Sequence, residues 1–209
     1  MTTIKNDLKL FNQLSEVLIS EESQNPVAER IEVNQLYDTL DLSLGETGII
    51  DENLKSLLVD ILIATPKTAT SLFFNQLFGG RQPKAILGDL LAVLLNNSMY
   101  TYKVAGPQVG IEQEIIRKSC QLVGYGPNSN GTFPTGGSMS NYMALILGRD
   151  VKDPKCRFDG MTKPLIIYTS IESHYSNAKN VSFAGIGRNN IRYIEVDSEG
   201  KMIVEKLEE

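Results

Sequence analysis

Between Gly131 and Asn141 the chain reads Gly-Thr-Phe-Pro-Thr-Gly-Gly-Ser-Met-Ser-Asn, a glycine pair followed at once by hydroxyl side chains and a helical pattern. Paired glycines let backbone N–H groups come close to a ligand, and a helix that starts here adds unpaired amides and the positive end of its dipole. The chemistry this suits is binding of an anion, a phosphate in particular, with Ser138 adding a hydroxyl donor. Taken alone, the segment is read more simply as a tight strand-to-helix turn capped by Ser138 or Ser140. Three sharper motifs are excluded: no Lys-Ser/Thr pair makes a P-loop, no third glycine makes a dinucleotide fingerprint, and Gly136 to Ser140 lacks the closing glycine of a hydrolase nucleophile elbow.

The second residue able to do chemistry is His174, the only histidine. It follows a short apolar run, Pro164 to Thr169, that reads as a buried strand. If ligands bind at the carboxyl ends of strands, His174 and the glycine turn share one edge. An isolated histidine reads equally well as a surface or helix-capping residue. The combination with the glycine turn is what favours a site.

The elements that must position these residues follow from periodicity. Leu8, Phe11, Leu14, Val17 and Leu18 predict a first helix over 8–19, and Asn53 to Ala64 predicts a second after the turn at Gly45 to Gly48. No sheet pattern separates them, so residues 1–82 read as a helical arm whose apolar faces need a partner, most naturally another subunit. Helix 84–97 is apolar on nearly every face and is expected to be buried. An irregular stretch, 98–107, leads to a helix over 109–123, and a helix over 141–149 follows the glycine turn. Residues 173–183 predict another helix, closed by the Gly185-Ile186-Gly187 turn, and Ile191 to Val196 predict a second strand. Strands alternating with helices over 83–209 imply an α/β domain with a mostly parallel sheet covered on both faces.

With 209 residues, 42% of them hydrophobic, the chain has enough apolar side chains for a core. A net charge of −5 and a pI near 5.1, with no Lys/Arg cluster, argue against nucleic acid or an anionic membrane as the main partner. A small-molecule ligand fits better. Cys120 and Cys156 form no Cys-x-x-Cys pair and read as reduced thiols, and no metal site is suggested. The first residues lack a signal-peptide core and the apolar run 86–95 is too short to span a bilayer, so a soluble cytoplasmic protein is expected.

Four blocks together resemble the pyridoxal-phosphate-dependent group II amino-acid decarboxylases, in the branch of the glutamate and cysteine-sulfinate enzymes. They are Phe73-Phe74-Asn75-Gln76-Leu77; Met99-Tyr100-Thr101-Tyr102-Lys103 with Glu112-Gln113 downstream; Phe133 to Asn141; and Ser173-His174-Tyr175-Ser176. The resemblance covers roughly Phe73 to Lys201 and matches the first seventy residues only as a helical arm. It implies the large domain of a fold type I transferase-like enzyme (αβα), here incomplete, with pyridoxal 5'-phosphate as cofactor. It implies that Gly137 and Ser138 hold the cofactor phosphate, that His174 stacks on the pyridine ring and handles protons, and that Asn75 and Gln76 approach the substrate side chain. Side-chain amides there suit a distal carboxylate or sulfinate, so the expected substrate is a small acidic amino acid that loses its α-carboxylate. A homodimer is implied as well.

Two parts of that pattern are missing. The family's cofactor-anchoring lysine directly follows a histidine, whereas His174 is followed by Tyr175; no Asp-x-Ala segment supplies the aspartate for the ring nitrogen. No anchoring lysine is assigned, and the 209-residue chain is expected not to decarboxylate by itself. The expectation is the N-terminal portion of a longer enzyme, by truncation or a split gene. The alternatives are a non-catalytic fragment or interaction module keeping a phosphate-binding loop, or another enzyme of the same cofactor fold, such as an aminotransferase.

Overall fold

The computed structural model describes residues 2–43 and 45–209, which fall into two compact units, Met1–Asn97 and Ser98–Glu209. In the first unit, α1 (Thr2–Gln24) packs on α3 (Asp51–Ala64), with the short α2 (Leu36–Thr39) between them in sequence. Both long helices half-bury aliphatic side chains at helical spacing: Leu10, Leu14, Val17 and Leu18 on α1, and Leu54, Leu57, Leu58, Ile61 and Leu62 on α3. Leu8 and Phe11, expected on the packed face, stay exposed at 41% and 42%, and α1 runs past the predicted end at residue 19 to Gln24. Lys67 is buried beyond the end of α3, its ammonium donating to the Ile63 carbonyl at 3.1 Å and pairing with Glu21 at 3.7 Å.

α4 (Pro83–Leu95) starts with a proline at its first turn and a Gln82 side chain that accepts from the Lys84 and Ala85 amides. It stops at Asn96, whose left-handed φ of 46° ends the helix. The expectation that this helix is buried fails: none of its residues is buried, and Leu87 and Val93 are 58% and 76% exposed. A helix apolar on nearly every face needs cover, and among the described elements none packs extensively on α4.

In the second unit, α5 (Tyr102–Ala105) lies inside the stretch expected to be irregular, and α6 (Pro107–Leu122) follows through Gly106. α7 (Gly137–Lys152) begins four residues before the helix predicted from periodicity, because the glycine turn itself forms its first turn. After α8 (Cys156–Asp159), β1 (Ile167–Ser170) leads to α9 (Ser176–Phe183) and then to β2 (Ile191–Ile194). The strands pair in parallel, Ile167 opposite Ile191 and Ser170 opposite Ile194, so β1, α9 and β2 form a β-α-β unit. Pro164 and Leu165, expected in the first strand, precede it. Val196, expected in the second, bridges antiparallel to Met202 in a hairpin before α10 (Val204–Glu208).

The core lies between these elements. Val181, Ala184, Ile186 and Ile191 are buried together, with Tyr142, Leu145 and Ile146 of α7 and Leu165, Ile167 and Ala178 packed around them. α7 and α9 therefore meet along an apolar seam, and Arg149 of α7 closes its far end by donating to the Ala184 carbonyl at 2.9 Å. That seam fixes the near ends of both helices, where the candidate residues stand. No helix among the described residues is long and apolar enough to cross a membrane.

Candidate functional site

Gly136 occupies the position before the first helical residue of α7, with φ 139° and ψ 165°, a backbone region essentially restricted to glycine. Its carbonyl accepts from the Met139 and Ser140 amides, both at 3.0 Å, which closes the first turn. The amides of Gly137 and Ser138 come too early to find an acceptor within the helix. The serine-cap reading fails here. No side chain caps α7, and Ser140 instead donates its hydroxyl back to the Gly136 carbonyl at 3.2 Å. The helix start is left open: Gly136, Gly137 and Ser138 are all exposed, and a Cβ built on either glycine would meet nothing within 4 Å.

An uncapped sixteen-residue helix with two adjacent free amides, a neighbouring hydroxyl and open space before them has the donor set and the potential that a phosphate needs. The residues present thus fit the phosphate end of the expected cofactor. Asn180 of α9, itself buried, donates to the Ser138 carbonyl at 2.9 Å and pins this turn to α9.

His174 lies in the loop between β1 and α9 and is exposed. Its Nδ1 is 2.8 Å from the hydroxyl of fully buried Ser176 and accepts the Ser176 backbone N–H at 3.2 Å. Ser176 in turn receives the Asn141 side-chain amide of α7 at 2.9 Å. Tyr175 lies against His174 with ring centroids 4.3 Å apart and a tilt of 38°. The glycine turn and the histidine are thus tied to the same two helices by two parallel bonds, Asn180 to Ser138 and Asn141 to Ser176. No lysine joins this network; Lys179 of α9 sits over the Phe183 ring instead, 5.6 Å from its centroid.

Asn75 and Gln76 belong to the first unit, in the exposed loop between α3 and α4. Phe73 and Phe78 brace that loop edge to face, centroids 5.6 Å apart. The Asn75 side-chain oxygen accepts the Leu77 amide at 2.8 Å, which turns the chain and leaves the NH2 group as the side chain's remaining donor.

Reading the sequence missed Asn141, Ser176 and Asn180 as supports. The available signal was spacing: Ser176 and Asn180 are four apart on α9, as are Gly137 and Asn141 on α7, so each pair shares one helix face. Among the described residues no cluster of His, Cys, Asp or Glu could hold a metal ion.

The sequence model of the pyridoxal-dependent decarboxylase conserved domain matches residues 40–209. A cysteine sulfinic acid decarboxylase of Rattus norvegicus is 38% identical over 184 residues, covering 87% of this chain and 37% of that protein. An acidic amino acid decarboxylase of Mus musculus is 37% identical over 176 residues, covering 83% of this chain and 32% of its own length. The crystal structure of mouse CSAD superposes with a TM-score of 0.90 at 34% identity, over 97% of this chain and 44% of that one. The chain therefore spans well under half the length of these relatives.

Proposed function

The chain belongs to the pyridoxal-dependent decarboxylase family, and from that premise we propose that it forms the phosphate-binding and ring-facing portion of an enzyme that removes the α-carboxylate from a small acidic amino acid. The observation that carries this reading is the uncapped glycine start of α7, with the Gly137 and Ser138 amides left without an intrahelical acceptor. When bound, pyridoxal 5'-phosphate supplies an electron sink for the pair left as the Cα–carboxylate bond breaks.

This chain's residues supply position and charge. The Gly137 and Ser138 amides and the Ser138 hydroxyl hold the phosphate at the positive end of α7. His174, anchored at Nδ1, would lie against one face of the bound ring and hold its orientation. Tyr175 lies against the imidazole, 4.3 Å between ring centroids, so a bound ring would have to use the face of His174 that Tyr175 leaves open. The family resemblance assigns Asn75 and Gln76 of the first unit to the substrate's distal anion, for which their side-chain N–H groups are suitable donors. Relatives named for cysteine sulfinic acid and for acidic amino acids support an acidic substrate.

A second reading is a chain that binds the phosphate without catalysing; within these 209 residues the single histidine precedes Tyr175 and no His-Lys pair occurs. Absorbance titration with pyridoxal 5'-phosphate tests the shared premise. Saturation is expected for the wild type and weaker binding for Ser138→Ala; indistinguishable titrations would remove Ser138 from the site. Borohydride reduction and peptide mapping then test the missing lysine: label confined to one lysine would show that this chain carries an anchoring lysine after all, and scattered surface label is expected where it carries none.

A further inference from the structure

We infer that Asn141 and Ser176 are positioning residues that keep Nδ1 of His174 as the acceptor and place the ring's proton on Nε2. The assignment rests on a relay of three side chains: Asn141 to the Ser176 hydroxyl at 2.9 Å, and that hydroxyl to His174 Nδ1 at 2.8 Å. Such a relay can run with either polarity. In one, the Asn141 NH2 donates to Ser176 and the Ser176 O–H donates to Nδ1, which must then be bare. In the other, Nδ1–H donates to Ser176, whose hydrogen goes to the Asn141 carbonyl oxygen.

The backbone breaks this symmetry. The Ser176 N–H points at the same Nδ1 from 3.2 Å, and a main-chain amide can only donate. A proton on Nδ1 would set two donors against each other beside a side chain with no exposed surface, where the conflict finds no water to relieve it. The polarity with bare Nδ1 is therefore the one selected, and Asn141, with an amide able to donate, fits it where a carboxylate would not.

The consequence concerns what the histidine can do in the site proposed above, on which this role depends. Nδ1 is committed to the protein, and no described residue takes Nε2. His174 then presents one polar hydrogen, on Nε2, to whatever lies against its free edge. It acts there as a fixed hydrogen-bond donor, with Asn141 and Ser176 acting only through it.

The ring can be observed without cofactor or turnover, because the chain contains a single histidine. Long-range proton–nitrogen correlation NMR of the 15N-labelled full chain near neutral pH reports which ring nitrogen carries the proton. The wild type is expected to show a bare, pyridine-type Nδ1 and a pyrrole-type Nε2. Asn141→Asp, which replaces the donor by acceptors at an exposed position, draws the Ser176 hydrogen away from Nδ1 and is expected to shift the Nδ1 resonance measurably, with the Ser176 backbone N–H still opposing a proton there; Asn141→Ala tests the loss of the donor alone. A wild-type spectrum with the proton on Nδ1 overturns the inference whether or not any variant folds. An Asn141→Asp spectrum identical to wild type removes Asn141 from it. Failure of cofactor titration with a bare Nδ1 would instead count against the proposed function and leave the relay standing.

Discussion

Gly136 and Gly137 stand side by side and make different demands. Gly136 needs its lack of a side chain for the backbone, because φ 139° with ψ 165° is strained for any L residue although a Cβ there would touch nothing. Gly136→Ala is expected to cost about 1–3 kcal/mol of stability in urea unfolding. Gly137 sits inside the helix with open space around it, so Gly137→Ala should leave unfolding unchanged. Its added methyl stands where a phosphate would approach, and losing one charge-assisted hydrogen bond of about 1.5–3 kcal/mol weakens pyridoxal 5'-phosphate binding about tenfold or more in an absorbance titration. Equal effects of the two substitutions on both measurements would contradict this division. The glycine pair was legible in the sequence because glycine punctuates it unmistakably, and His174 because it has no rival. Asn180, which pins Ser138 from forty-two positions away, was not, since no local pattern records a partner so distant.

At the scale of elements, the second unit rests on the α7–α9–β2 seam, and its side chains differ sharply in worth. Ile191 is 7% exposed within the cluster of Val181, Ala184 and Ile186, so Ile191→Ala is expected to lower stability by about 2–5 kcal/mol. Leu87→Ala on uncovered α4 should stay within about 0.5 kcal/mol, and a comparable loss there would show that α4 is packed after all. The loop that joins α7 to β1 is held differently. The buried Asp153 carboxylate accepts the Thr162 hydroxyl at 2.5 Å and the Thr162 amide at 2.8 Å. These bonds, the hydroxyl first, hold its pKa below the ordinary carboxylate value. A depressed folded-state pKa means that the stabilisation is complete above the unfolded carboxylate's range, near pH 4, and fades as the pH falls through it. Unfolding midpoints measured from neutral to acid pH should therefore fall less steeply in Asp153→Asn than in the wild type. The helices themselves were legible from spacing, but α7 began earlier than its apolar period shows, because its first turn, Gly137-Ser138-Met139-Ser140, holds a single apolar residue and so no period.

For the whole molecule, the informative feature is apolar surface without a partner. Leu87, Leu91, Val93, Leu94 and Leu95 of α4 are all more than half exposed, although the helix is among the most apolar stretches of the chain. Periodicity shows which faces are apolar and says nothing of what covers them, which is why the sequence suggested burial and the structure does not contain it. A contiguous apolar surface of this kind marks an interaction site in soluble proteins. We propose that a second copy of the chain covers it, in line with the homodimer implied by the family resemblance. Sedimentation equilibrium should then give a mass above the 23.1 kDa of one chain. Leu91→Lys and Leu94→Glu, placed one helical step apart on α4, should shift the population towards monomer at little cost to folding, because both side chains are already in contact with water in the single chain. A well-folded wild-type monomer at every concentration would contradict the dimer. Unchanged association in both variants would move the interface away from α4, and the exposed Ile4, Leu8 and Phe11 of α1 would be the next residues to substitute.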